Sequence, residues 1–334
     1  MRDQPWSLVE GDYIETAEGL MFAVKGLLHP RGRVIAYLRY VPDSRGERCL
    51  GDRRYRRVYD LEETTELLRR RYPRYLNYVG RLGLTLQAVP RDRIAWVYRP
   101  RERLRALMLH PETELEETAA SFASAISLES IVPLDDLGIS GSVLVGLAAP
   151  SSDIDLIAYG RETGRRVYGA LRRLREGCEW ISPYDRRTVG KVLRARWGDT
   201  GLDLERLWDI EIGKALHGLV SGRDYFVRLV KGPEESEALS RPLGKMRLRA
   251  VVIDARDSIF TPCTYGVSDC IMLNGARLRE VSELVSFRGK FTEQAREGDA
   301  IEARGTLEEV TRGSGTTYRV MLSAKGDYLI PIDR

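Results

Sequence analysis

Residues 138–160 read Gly-Ile-Ser-Gly-Ser-Val-Leu-Val-Gly-Leu-Ala-Ala-Pro-Ser-Ser-Asp-Ile-Asp-Leu-Ile-Ala-Tyr-Gly, and the two aspartates near the end of that stretch decide how the chain is read. Side chains of a strand alternate between its two sides, so Asp153 and Asp155 share one face while Ile154 and Leu156 anchor the other. Neighbouring carboxylates repel, and a cation between them removes that cost. Magnesium suits the place, being a hard ion that takes carboxylate and phosphate oxygens together. Upstream, Gly138 to Ser142 supply small residues whose backbone amides can approach an anion, and Val143-Leu144-Val145 reads as the opening of a helix whose N-terminus favours negative charge. Phosphate on one side and metal on the other is an arrangement for phosphoryl or nucleotidyl transfer.

Gly141-Ser142, ten intervening residues, then Asp153-Ile154-Asp155-Leu156 resembles the signature of the DNA polymerase beta-type nucleotidyltransferase superfamily. The lead-in Pro150-Ser151-Ser152-Asp153 is similar to the Gly-x-x-Ser-Asp wording of that superfamily. Together with the stretch at 222–230 and the flanking segments, the chain resembles an archaeal family of predicted nucleotidyltransferases. The resemblance implies that Gly141, Ser142 and Ser152 hold a nucleoside triphosphate and that Asp153 and Asp155 bind two magnesium ions with a third carboxylate from a later strand. Asp224, opening a strand at 225–230, is the preferred third acid, with Arg228 on the same face to neutralise phosphate. Asp203, Asp254 and Asp257 are its rivals.

Outward from this core the chain reads as an α+β protein in three parts. Residues 1–110 form a mixed strand and helix module: three strands in a meander over residues 12–40, a helix over 60–71 with Asp60 as its cap, and a short basic helix from Arg101 to Leu109. Residues 111–235 form the nucleotidyltransferase-like domain, with helices over 165–175, 185–196 and 202–218. Residues 236–334 form a small β-barrel of the oligonucleotide/oligosaccharide-binding type, its strands punctuated by turns such as Gly298-Asp299 and Gly313-Ser314-Gly315.

At 334 residues the chain is long enough for two or three domains. No apolar run of membrane-spanning length occurs, so no membrane partner is expected and the cytoplasm is the expected address. Cys49, Cys178, Cys263 and Cys270 lack metal-binding spacing, and only Cys263 and Cys270 lie close enough in sequence to suggest a disulfide. The net charge is +4, but arginines crowd residues 53–57, 69–74 and 99–105, a pattern read either as ion-paired surface or as a face for phosphate. His110 and His217 have no partner at a telling spacing and read as structural. Thr261-Pro262-Cys263 reads as a proline-pinned edge of the barrel.

The expected activity is therefore magnesium-dependent transfer of a nucleoside monophosphate from a nucleoside triphosphate to an acceptor hydroxyl, with RNA or DNA favoured as acceptor. The competing expectation is a non-catalytic nucleic-acid-binding or nucleotide-sensing protein that keeps the fold. Oligomeric state is open.

Overall fold

Strand Arg33–Pro42 shows why the N-terminal segment folds as it does: Val34, Ala36 and Leu38 are buried while Ile35, Tyr37 and Arg39 between them are half-buried. The computed structural model describes residues 8–79, 84–232, 239–273, 280–312 and 315–332. The turn expected at residues 313–314 and the boundary expected at 235/236 lie outside the described residues. The chain divides into two units, Met1–Tyr159 with Arg223–Phe226, and Gly160–Gly222 with Val227–Arg334. The segment 1–110 lies in the first, 236–334 in the second, and 111–235 is shared between them.

In the first unit, strands β1 (Tyr13–Thr16), β2 (Met21–Val24), β3 (Arg33–Pro42), β4 (Arg48–Leu50), β5 (Arg53–Arg57), β6 (Leu76–Val79), β7 (Leu84–Pro90) and β8 (Ile94–Tyr98) form one sheet. Its main path runs β4-β5-β3-β2-β1-β8, and β7 joins β3 to β6. One face packs Val34, Ala36, Leu38, Ile14 and Phe22 against Leu68 of helix α1 (Leu61–Arg71). Asp60 caps that helix as expected, accepting the amides of Glu62 and Glu63 at 2.9 and 2.8 Å. The other face carries Tyr13, Met21, Tyr40 and Tyr55 against Leu144, Val145 and Leu147. Each buried aromatic or aliphatic side chain there contributes about 1.5–3 kcal/mol of transfer free energy. That second face positions the functional site.

Helices α2 (Pro100–Leu109) and α3 (Glu114–Ser130) follow, then β9 (Leu137–Ile139), the single turn α4 (Gly141–Leu144) and β10 (Ile154–Tyr159). β9 and β10 pair antiparallel, Leu156 opposite Ile139 and Ile157 opposite Gly138. α2 packs on β9 so closely that a Cβ at Gly138 would lie 2.6 Å from Pro100 Cβ. The helix expected from Val143 onward is thus only one turn, ended by Val145 and Gly146, which has φ +69°.

The second unit holds α5 (Arg161–Gly177), β11 (Ile181–Ser182), α6 (Arg186–Trp197), α7 (Trp208–Gly213), β12 (His217–Val220) and the later part of β13 (Arg223–Val230). The single helix expected over 202–218 is instead α7 followed by β12. Glu293 explains the break: its carboxylate takes the amides of Ala215 and Leu216 at 2.7 and 3.0 Å, so neither can serve a helix.

The remaining strands are β14 (Leu239–Asp254), β15 (Phe260–Thr261), β16 (Cys263–Met272), β17 (Val281–Ser286), β18 (Ala300–Arg312), β19 (Gly315–Met321) and β20 (Tyr328–Pro331). Five of them close a barrel in the order β14-β16-β17-β19-β18 and back to β14, all neighbours antiparallel except β17 and β19. Leu248, Val252, Tyr265, Leu284, Ile301 and Val320 fill its core. The chain is thus α+β with a five-stranded barrel. Cys263 and Cys270 are free thiols, as are the other two cysteines, so the disulfide suggested by their proximity is absent. Among the described residues no helix is long and apolar enough to cross a membrane.

Candidate nucleotide and metal site

The site lies wholly in the first unit and begins where β9 ends. The amide of Ser140 donates to the carbonyl of Asp155 at 2.7 Å, fastening the Gly-Ser turn across from the start of β10. Ile154 and Leu156 are buried, whereas Asp153 and Asp155 are half-exposed on the alternate face. Gly141 has φ +63°, and a Cβ built on it would lie 3.0 Å from Asp155 Cγ and nearer still to Oδ2. Glycine is required there twice, for the left-handed backbone and for the carboxylate lying against it.

Ser142 is 2% exposed, and among the described residues its Oγ has no hydrogen-bond partner. Its carbonyl is used, accepting the Leu147 amide at 2.9 Å. Ser140 differs, since its hydroxyl donates to the Gly11 carbonyl at 2.9 Å. A buried hydroxyl without a partner costs about 1–3 kcal/mol, so the Ser142 Oγ keeps hydrogen-bonding capacity unspent at this turn.

Ser152 is buried and holds the turn before Asp153, its Oγ accepting from the Ala149 amide at 2.9 Å and from Arg48 Nη1 at 3.1 Å. Arg48 also donates to the Leu147 carbonyl at 3.3 Å, while its Nε is buried with no partner among the described residues. Tyr40 stands in the same field. Burial holds its phenol above the ordinary value, Arg57 and Arg48 pull it down, and Asp155 and Asp153 push it up. Arg48, Tyr40 and Arg57 come from the N-terminal sheet; no local pattern in the sequence announced Arg48 or Tyr40, whereas Arg57 belongs to the arginine-rich stretch 53–57.

Asp224 belongs to the first half of β13, Arg223–Phe226, which lies beside β10 on the side away from β9. Arg223 ties this strand to the turn before Asp153, donating to the Pro150 carbonyl and lying 3.4 Å from Glu114. Asp224 itself is exposed. Among the described residues no group of three or more His, Cys, Asp or Glu side chains is gathered for a metal, so Asp224 does not complete a three-acid cluster with Asp153 and Asp155. Its rivals are engaged in the second unit: Asp203 accepts the Glu205 amide, Asp254 pairs with Arg256, and Asp257 pairs with Arg161 and Lys231. Arg228 also lies in that unit, half-buried between Val227 and Leu229.

The donor set suits magnesium: two carboxylates two residues apart, beside a glycine cradle and an unpartnered hydroxyl. No protein-family model and no solved structure matches the chain. An uncharacterized protein of Methanocaldococcus jannaschii is 28% identical over 324 residues, covering 92% of this chain and 93% of that protein. The likeness runs nearly end to end in both.

Proposed function

We propose that the chain is a nucleotidyltransferase that moves a nucleoside monophosphate from a nucleoside triphosphate to an acceptor hydroxyl. The observation that carries this reading is the carboxylate of Asp155 lying against Gly141 beside the buried, unpartnered hydroxyl of Ser142. In the reaction the acceptor hydroxyl gives up its proton to solvent as its oxygen forms a bond to the α-phosphorus, the bond from that phosphorus to the bridging oxygen of the β-phosphate breaks, and pyrophosphate leaves with that oxygen. Asp153 and Asp155 would hold two magnesium ions, which when bound supply charge neutralisation for the triphosphate and a lowered pKa for the attacking hydroxyl. Ser142 donates its hydroxyl to a phosphate oxygen, and the Gly141 backbone allows that oxygen to come close. Arg48 keeps the turn ahead of Asp153 in register. Asp224 is proposed to join the two acids once substrate is bound; Arg228, in the second unit, is given no part in this site.

RNA or DNA is the acceptor favoured by this reading, supported by a five-stranded barrel of the kind that binds oligonucleotides. A second reading, a nucleotide sensor or nucleic-acid-binding protein without turnover, is favoured by the exposed position of Asp224. One experiment separates them: release of labelled pyrophosphate from each nucleoside triphosphate with mixed RNA or DNA as acceptor. Magnesium-dependent release that Asp155→Asn abolishes supports the transferase. Magnesium-dependent binding with no release supports the sensor.

A further inference from the structure

Arginine crowding in the N-terminal segment suggested a face for phosphate, but most of these charges are spent within the first unit. Arg53, Arg56, Arg70, Arg99 and Arg105 each lie within 3.5 Å of a carboxylate. Arg39 and Arg57 differ. Among the described residues neither guanidinium has a carboxylate within ion-pairing distance, and both lie over the ring of Tyr59, at 5.6 and 4.2 Å from its centroid. Tyr59 is 56% exposed. Glu47 accepts the backbone amide of Arg57 at 3.1 Å but pairs with neither guanidinium.

The register ties this patch to the acid site. Arg57 lies directly opposite Tyr40, so both project from the same side of the sheet. That is the side on which Tyr40 and Tyr55 meet Leu144 and Leu147 of the segment that follows the Gly-Ser turn. Tyr59, two residues beyond Arg57 and past the end of β5, lies against the Arg57 guanidinium.

We propose that Arg39, Arg57 and Tyr59 form a landing platform for a single-stranded polynucleotide whose hydroxyl end enters the Asp153–Asp155 site. Arg39 and Arg57 lie over the Tyr59 ring yet leave the residue 56% exposed, so the aromatic surface they do not cover is offered to a base of any sequence, and the two guanidiniums, not committed to carboxylates, offer donors to the adjoining phosphates. A duplex keeps its bases stacked on each other, so the platform selects single strands. As a statement about the acceptor, this rests on the transferase reading; as a statement about binding, it stands by itself.

The test is fluorescence anisotropy of the full chain with labelled single-stranded RNA, single-stranded DNA and the corresponding duplex, each of about 12 nucleotides, in the absence of nucleotide and magnesium. Tyr59→Leu is expected to weaken single-strand binding about tenfold, and Tyr59→Phe to leave it within about twofold. Arg57→Gln is expected to weaken it and to lower the slope of log affinity against log salt by about one. Tighter binding of either RNA or DNA supports the platform and tells which sugar it takes. Affinity unchanged in Tyr59→Leu, duplex bound as tightly as single strands, or equal competition by heparin would overturn it. Turnover is not read in this assay, so failure here leaves the transferase reading standing, and inactivity in the pyrophosphate assay leaves the platform standing.

Discussion

Two clusters of charge in this chain are built on opposite plans. In the second unit Glu211 is 1% exposed and fully engaged, with Arg196 Nη1 at 2.5 Å and Lys214 Nζ at 2.9 Å. Lys214 donates further to the Lys290 carbonyl at 2.6 Å. Burial pushes the Glu211 carboxyl up, but Lys214 and Arg196 together hold it below its ordinary value. In the first unit Asp153 and Asp155 are half-exposed, and the buried Ser142 hydroxyl and Arg48 Nε beside them have no partner among the described residues. Charges that satisfy one another make scaffold, while polar capacity left unspent beside paired acids is what supports the proposed ligand site.

The comparison can be broken by substitution. Glu211→Gln should produce the largest loss of stability, about 3–5 kcal/mol, because it leaves a buried cation without its partner; denaturant unfolding measures it. Asp155→Asn should do the reverse, changing unfolding by less than about 1 kcal/mol while lowering pyrophosphate release by at least about 100-fold. If Asp155→Asn instead destabilises as much as Glu211→Gln, the two clusters are alike and the distinction fails. Gly141→Ala should cost about 1–3 kcal/mol from its left-handed backbone and also displace the Asp155 carboxylate, so stability and nucleotide binding fall together.

The smallest effect concerns Asp254, whose carboxyl is held down to about 2 by hydrogen bonds from Arg256. A carboxyl depressed in the folded state stabilises above its unfolded value of 3.8 and loses that contribution as pH falls through about 2. Because the pair is exposed, the loss between those values should not exceed about 1 kcal/mol, and Arg256→Gln should reduce the dependence to the part supplied by the backbone amide of residue 256. Acid titration of thermal unfolding reads both.

What the sequence disclosed and what it hid follow from distance along the chain. Gly141 and Ser142 follow directly on β9, Asp153 directly precedes β10 and Asp155 lies in it, and the two strands pair antiparallel, so the proximity of these residues is written in local spacing. Of the barrel strands, β16 and the 245–250 part of β14 alternate buried with less buried residues, which made them legible, while β17, β18 and β19 were legible only as strand-like runs between Gly and Asp turns. Arg48 could not be read, since its contact with Ser152 joins residues 104 positions apart. The break between α7 and β12 was hidden for the same reason: Glu293 is 78 residues from Ala215. Nor could spacing show that Asp254 and Asp257 are occupied by Arg256, Arg161 and Lys231. The arginine crowding was ambiguous until the carboxylate partners could be assigned one by one.

The central claim is tested most directly by calorimetric binding of a non-hydrolysable nucleoside triphosphate, with and without magnesium, to the parent chain and to Ser142→Ala and Asp153→Ala. The account expects binding by the parent only with magnesium, a loss of about 10-fold in Ser142→Ala for one phosphate hydrogen bond, and none detectable in Asp153→Ala. Equal affinity in all three chains, or affinity indifferent to magnesium, would contradict it.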